Sequence, residues 1–311
     1  MLTMPDILDS FKQTAHRSID ESEGQNLMHE FKEKERYIEK YRGEIVVVKC
    51  GGETLDNEAA LDNVFEQLLY LSAKDIHVIL VHGGGSQIKA RAEQLGIPEV
   101  KKNGVRVTCE RTVNVVRDVL EDLNADLVHK IEAKAKENDM SLTVTGGGMT
   151  DIIVADQVDQ MGYVGEPRDV RTDSIAPQLK SGHMHILHSL SCAEDGQILN
   201  VNADSVAGAL AKSLQARRII FCTSVAGVLD KQGQTIATLS PQSINSLIHD
   251  ETISGGMVKK VRECEALLEH VSGVAIVASA DKNSILKELL GEGGGTLIQR
   301  DTIKPSLGAK P

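Results

Sequence analysis

Hydrophobic positions along the chain follow two rhythms. Before residue 44 they recur at helical spacing: Ile7, Leu8, Phe11 and Ala15, then Leu27, Met28, Phe31, Ile38 and Tyr41, with Gly24 between the two runs. That spacing lines one helix face with apolar side chains and predicts two amphipathic helices. From Glu44 onward, short runs rich in branched residues alternate with helical ones. IVVVKC (45–50) precedes a helix over 58–73, HVILVH (77–82) precedes a helix over 86–95, and RRIIFCT (217–223) and VAIVAS (274–279) supply later strands. This alternation predicts an α/β fold, a parallel sheet covered by helices on both faces. A polar dip at SCAEDGQ (191–197) suggests a boundary, dividing the chain into a helical extension (1–43), an N-lobe (44–190) and a C-lobe (191–311).

In a sheet of this kind, ligands sit beyond the carboxyl ends of the strands, so the strand-to-helix turns carry the chemistry. ILVHGGGSQI sets Gly83, Gly84 and Gly85 directly after a strand. Bare N–H groups at a helix start, together with the positive end of its dipole, make an anion site; a tight turn alone would use the same residues. No G-K-[ST] follows, so this is not a Walker loop. An upstream turn, VVVKCGGETL, brings Lys49 out of its strand beside Gly51 and Gly52.

Three further turns are polar. Arg106 in GVRVT offers a fixed, charged fork suited to a carboxylate, or to a surface salt bridge. Residues 200–211 form a polar turn entering a helix of small side chains, where Asn200 and Asp204 either face the cleft or cap the helix. SGGMVKK (254–260) places a second glycine turn before a helix, with Lys260 one turn inside it, within reach of a phosphate or out in solvent.

Composition removes other classes. With 311 residues and 41% apolar content the chain buries a full core. Its apolar runs, such as IHVILV (76–81), are far shorter than the roughly 20 residues a bilayer requires. No basic-then-apolar leader opens the sequence, so a cytoplasmic location without membrane attachment is expected. Cysteines at 50, 109, 192, 222 and 264 form no C-x-x-C pair and predict reduced thiols. A net charge of −11 with 3% aromatic residues and no Trp argues against a nucleic-acid partner. In HMHILH, His183 and His185 would share a strand face, with His188 nearby, but no cysteine or carboxylate pattern completes a metal site, and none is predicted.

In order and spacing, VVVKCGG, VHGGG, KKNGVRVT, GYVGE (162–166), NVNAD, SVAGVLD (224–230), GGMVKKV and GGGT (293–296) resemble the amino acid kinase family, and within it the acetylglutamate kinase branch. The resemblance runs from about Tyr37 to Ile298. It implies a three-layer αβα sandwich with a mostly parallel central sheet, an N-lobe for an acyl amino acid and a C-lobe for ATP. The implied reaction moves a phosphoryl group from ATP, bound with Mg2+, to the side-chain carboxylate of N-acetyl-L-glutamate, a step of arginine biosynthesis. Lys49 and Lys260 would neutralise the migrating phosphate, with Asp204 as the orienting anion between them. Gly83, Gly84, Arg106 and Asn200 would hold the acyl amino acid; Gly51, Gly52, Ser224, Gly227, Gly256 and Met257 would hold the nucleotide. N–H groups of Gly51, Gly52, Gly83 and Gly84 would grip the phosphoryl oxygens. A homo-oligomer is implied, a dimer or a hexamer interlaced through the N-terminal helices.

Two positions depart from the family pattern. Ser224 stands where an Asp is usual, and Asn283 stands about where arginine-inhibited members carry a His, although Glu288 and GGGT remain. Inhibition by arginine therefore stays open. So do a ligand sensor that keeps the fold without turnover, the kinase-like portion of an acetylglutamate synthase, and a different acyl acceptor such as an aminoadipate derivative. No acetyltransferase domain follows Pro311, which weakens the synthase alternative.

Overall fold

The computed structural model describes residues 36–102, 105–148 and 150–300. The two helices expected before residue 44 therefore lie outside the described residues, apart from a helical turn at 36–39. Just after it, Tyr41 is buried, as is Ile38 within it.

Each early strand delivers the chain to a turn and a helix. β1 (Ile45–Cys50) is followed by the short α1 (Gly52–Leu55) and by α2 (Glu58–Ala73). The α2 helix starts where Asn57 Oδ1 accepts a hydrogen bond from Ala60 N, satisfying one of the unpaired donors of its first turn. Next come β2 (His77–His82), α3 (Gly85–Gln94), the hairpin β3 (Lys101–Lys102) and β4 (Val105–Arg106), and the long α4 (Glu110–Glu137). The middle of the chain forms β5 (Val144–Gly148), β6 (Ile153–Gln157), β7 (Val164–Val170), α5 (Ile175–Lys180), β8 (Met184–His188), β9 (Leu190–Cys192) and β10 (Ile198–Val201). It closes with α6 (Ala203–Ser213), β11 (Arg218–Thr223), β12 (Thr238–Leu239), α7 (Pro241–His249), α8 (Gly256–Leu267), β13 (Val274–Ala278), α9 (Ser284–Leu290) and β14 (Gly295–Ile298).

A sheet of eight strands runs in the order β12-β14-β13-β11-β1-β2-β8-β5. Strands β5, β8, β2, β1, β11 and β13 are mutually parallel, and β14 turns back antiparallel to β13. The mostly parallel sheet and its two helical layers are thus as the sequence implies. Alternation along the strands explains the layers: Val47, Ile79, Ile219 and Ile276 join one buried cluster, which includes Val206 of α6 and Val261 of α8. Val46, Val48, Leu80 and Ile220 point the other way, into a cluster with Leu68 of α2, Leu127 of α4 and Leu289 of α9.

Strands β6, β7, β9 and β10 form a small closed barrel beside the main sheet. β9 spans the suggested boundary at residues 190 and 191, and pairs with both β6 and β10. Cys50 is in register with His82 on β2 and with Cys222 on β11, so the turns after β1, β2 and β11 emerge at the same end of the sheet.

Candidate active site

At that end, two lysines and one carboxylate come together. Lys49 stands next to the end of β1, Asp204 is the second residue of α6, and Lys260 lies one turn inside α8. Lys49 Nζ is 2.8 Å from Asp204 Oδ1. The contact is a close ion pair, and among the described residues no donor meets Oδ1 with full hydrogen-bond alignment. Lys260 Nζ, by contrast, donates to Asp204 Oδ2 at 2.6 Å. All three side chains are largely shielded, with exposures of 15%, 21% and 19% for Lys49, Asp204 and Lys260. Burial by itself opposes ionisation of Asp204, but the two ammonium groups outweigh it and hold its carboxyl below the usual range. Lys260 Nζ also sits 3.9 Å from the ring centroid of Phe221.

Backbone geometry surrounds this trio with glycines. A β-carbon on Gly51 would touch Lys49 Nζ at 3.4 Å, and one on Gly52 would come 2.5 Å from Ser86 Oγ. The turns after β1 and β2 therefore pack directly on each other because Gly52 has no side chain. Nothing stands within 4 Å of where side chains on Gly85 or Gly256 would be, so at both helix starts the backbone faces open space. Gly83 departs from the expected set of phosphate donors, because its N–H is taken by the Cys50 carbonyl at 3.3 Å. Gly84 remains at the start of α3, backed by Leu120 of α4.

The motifs around Arg106 and Asn200 meet through Thr108. Asn200 Nδ2 donates to Thr108 Oγ1 at 3.1 Å, and that hydroxyl donates to the Arg106 carbonyl at 3.0 Å. Thr108 N donates to the Met161 carbonyl and Tyr163 N to the Thr108 carbonyl. Between them Gly162, at a φ of +72°, lies so near the Thr108 carbonyl that any β-carbon would collide with it. Arg106 Nη2 pairs with Glu99 Oε1 at 2.7 Å and donates to the Gly85 carbonyl at 3.2 Å, tying the β3–β4 hairpin to the triple-glycine turn. Asn200 is a residue of β10, not a helix cap; the cap of α6 is Asn202, whose Oδ1 accepts from Asp204 N. Thr108 was within reach of the sequence, since it closes the GVRVT motif, whereas Glu99, Ser86 and Phe221 carry no local signal.

Ser224 and Gly227 lie in the loop leaving β11, beside the end of β1. Gly227 is pressed against Thr296, whose Oγ1 accepts from Val228 N at 2.8 Å, so the GGGT segment props this loop. Gly256 and Met257 open α8, the helix that carries Lys260. Of the three histidines, His183 precedes β8 and is close enough to His185 to act on it, whereas His188 points to the opposite face of that strand. Among the described residues no group of three His, Cys, Asp or Glu is arranged to hold a metal, and no helix is long and apolar enough to cross a membrane.

The amino acid kinase family model matches residues 44–278. The chain belongs to the amino acid kinase family. Among curated relatives of this family member, acetylglutamate kinase of Pelagibacter ubique is 33% identical over 272 residues, covering 86% of this chain and 92% of that one. Acetylglutamate kinase of Brucella anthropi is 37% identical over 275 residues, covering 84% and 93%. In fold, this amino acid kinase is similar to N-acetylglutamate synthase from Neisseria gonorrhoeae complexed with coenzyme A and L-arginine, at a TM-score of 0.76 and 24% identity. That match covers 88% of this chain and 66% of the synthase.

Proposed function

We propose that this chain is an acetylglutamate kinase, transferring the γ-phosphoryl group of ATP to the side-chain carboxylate of N-acetyl-L-glutamate and releasing ADP and an acyl phosphate. The observation that carries the reading is the Lys49–Asp204–Lys260 trio, two ammonium groups on one carboxylate at the glycine-lined end of the sheet. Phosphoryl transfer asks little covalent chemistry of the protein; it requires in-line placement and neutralisation of charge on the transferring oxygens. Lys49 and Lys260 supply that charge. The acceptor carboxylate has no proton to lose, so Asp204 acts as a spacer that aims both lysines and not as a base.

In this reading Gly51, Gly52, Ser224, Gly227, Gly256 and Met257 hold the nucleotide, its phosphates toward the open backbone at Gly256. Arg106 and Asn200, linked through Thr108, hold the α-carboxylate and acetamide of the acyl amino acid, with Gly83 and Gly84 beside its reacting end. Asp204 is engaged by both lysines, so Mg2+ would be held by the ATP it accompanies and would supply further neutralisation of phosphate charge. The same reading divides the chain into an acyl amino acid lobe (44–190) and a nucleotide lobe (191–311). It places the step in arginine biosynthesis, in the cytoplasm, by a homo-oligomer.

The test is ADP release with N-acetylglutamate, glutamate, aspartate, carbamate and uridylate in turn, with hydroxylamine present to trap an acyl phosphate. Turnover with N-acetylglutamate alone, yielding a hydroxamate, is the expected result. Binding of ATP without turnover of any of the five would overturn the proposal in favour of a sensor.

A further inference from the structure

Phe221 is the register partner of Lys49 on the neighbouring strand β11, so both side chains leave the sheet on the face that α6 and α8 cover. The ring is buried at 2% exposure, and its centroid lies 3.9 Å from Lys260 Nζ. That ammonium therefore has the Asp204 carboxylate at 2.6 Å and an aromatic face as a second flank. Asp204 carries one negative charge but is shared by two cations, so the carboxylate alone does not balance the cluster. The negative face of an aromatic ring attracts a cation, and does so more strongly where water is excluded.

We propose that Phe221 is a positioning residue for phosphoryl transfer, its ring face holding the Lys260 ammonium at the angle from which it meets the migrating phosphate. A leucine in its place fills much of the same core volume but presents no negative face. Without the ring, Lys260 keeps the single contact to Asp204 Oδ2, on a carboxylate whose charge Lys49 shares through Oδ1, and can swing about it. The inference rests on the proposed role of Lys260 in the reaction.

The test uses the full chain with 4-fluoro-, 3,5-difluoro- and 3,4,5-trifluorophenylalanine incorporated at position 221, beside Phe221→Leu and Lys260→Ala. Fluorine drains the ring face of negative potential with little change of size. The expected result is a stepwise fall in kcat with each added fluorine, reaching about five- to tenfold for the trifluoro ring. The melting temperature and the KM for N-acetylglutamate stay level across the series. A flat kcat across the series, or a fall that follows the melting temperature instead of the fluorine count, would overturn the inference. Should Lys260→Ala be inactive while the series is flat, only the role of Phe221 fails; should Lys260→Ala keep full turnover, the underlying reading of Lys260 fails with it.

Discussion

Gly52 and Ser86 stand so close that no β-carbon fits between them, 2.5 Å from Ser86 Oγ and 3.2 Å from Ser86 N. This contact locks the turn that follows Lys49 against the start of α3. Gly52→Ala is expected to spread the two turns and lower kcat by at least about tenfold, since small misplacements at the reacting centre carry large rate penalties. Adding Ser86→Gly removes the hydroxyl but not the backbone nitrogen, so it restores part of the loss. Steady-state kinetics on the single and double variants reads both effects.

Lys49→Ala and Lys260→Ala are each expected to reduce kcat by roughly 10²- to 10³-fold, the scale of losing one charge contact to a transition state. Either change leaves Asp204 paired with the remaining lysine, so thermal melting stays near that of the parent protein. Asp204→Asn sets two cations against a neutral amide and lowers kcat as well. The Lys49→Ala/Lys260→Ala double variant loses less than the product of the single losses, because the residues act as one unit.

Thr108→Val deletes the hydroxyl that receives the Asn200 amide and donates to the Arg106 carbonyl. A loss on the scale of a buried hydrogen bond raises the KM for N-acetylglutamate about tenfold. The KM for ATP is expected to stay unchanged, and measuring both constants on one variant separates the two ends of the cleft.

Three buried histidines predict how stability depends on pH. Burial pushes His82, His185 and His188 down to about 4 from an ordinary 6.5, with the neighbouring His183 and His82 adding to the shift of His185 and His188 respectively. They stay neutral in the folded chain while the unfolded chain takes up protons. Stability is therefore fully present above pH 6.5 and declines as pH falls toward 4, by roughly 1.4 kcal/mol per histidine for each pH unit. Among the described residues neither ring nitrogen of His185 has a hydrogen-bond partner. His185→Leu is accordingly expected to flatten the slope of urea-unfolding stability against pH with little effect at pH 7. His82 behaves differently, because its Nδ1 donates to the Gly83 carbonyl and its Nε2 accepts from Asn124, so replacing it strands both partners.

The central strands were legible because a strand buried on both faces is written as an unbroken branched run, and IVVVKC and HVILVH coincide with β1 and β2. The α2 helix was equally plain. The small barrel was not, since β7 reads VGEPRDV, with a proline and three charges in seven residues, and gives no period-two pattern. In α4 the apolar spacing is interrupted by Asn124, which is buried because it spans His82 and the Ile186 carbonyl, a tertiary reason invisible in the local sequence. The turns that carry Lys49, Asp204 and Lys260 are visible in the sequence, but the contact between the three is a product of the sheet. The polar side chains of Asn200, Asn202 and Asp204 give NVNAD the look of a turn, and only pairing with β7 fixes Asn200 as a strand residue.

The ladder between β1 and β11 has a mechanical consequence. Five consecutive residue pairs, Val46 with Arg218 through Cys50 with Cys222, join two strands far apart in the sequence, and Lys49 is one of the residues they hold. A seam of that length resists bending, so Lys49 serves as a stationary anvil. Lys260 approaches from α8 instead, outside that ladder, so the two ammonium groups rest on separately built supports.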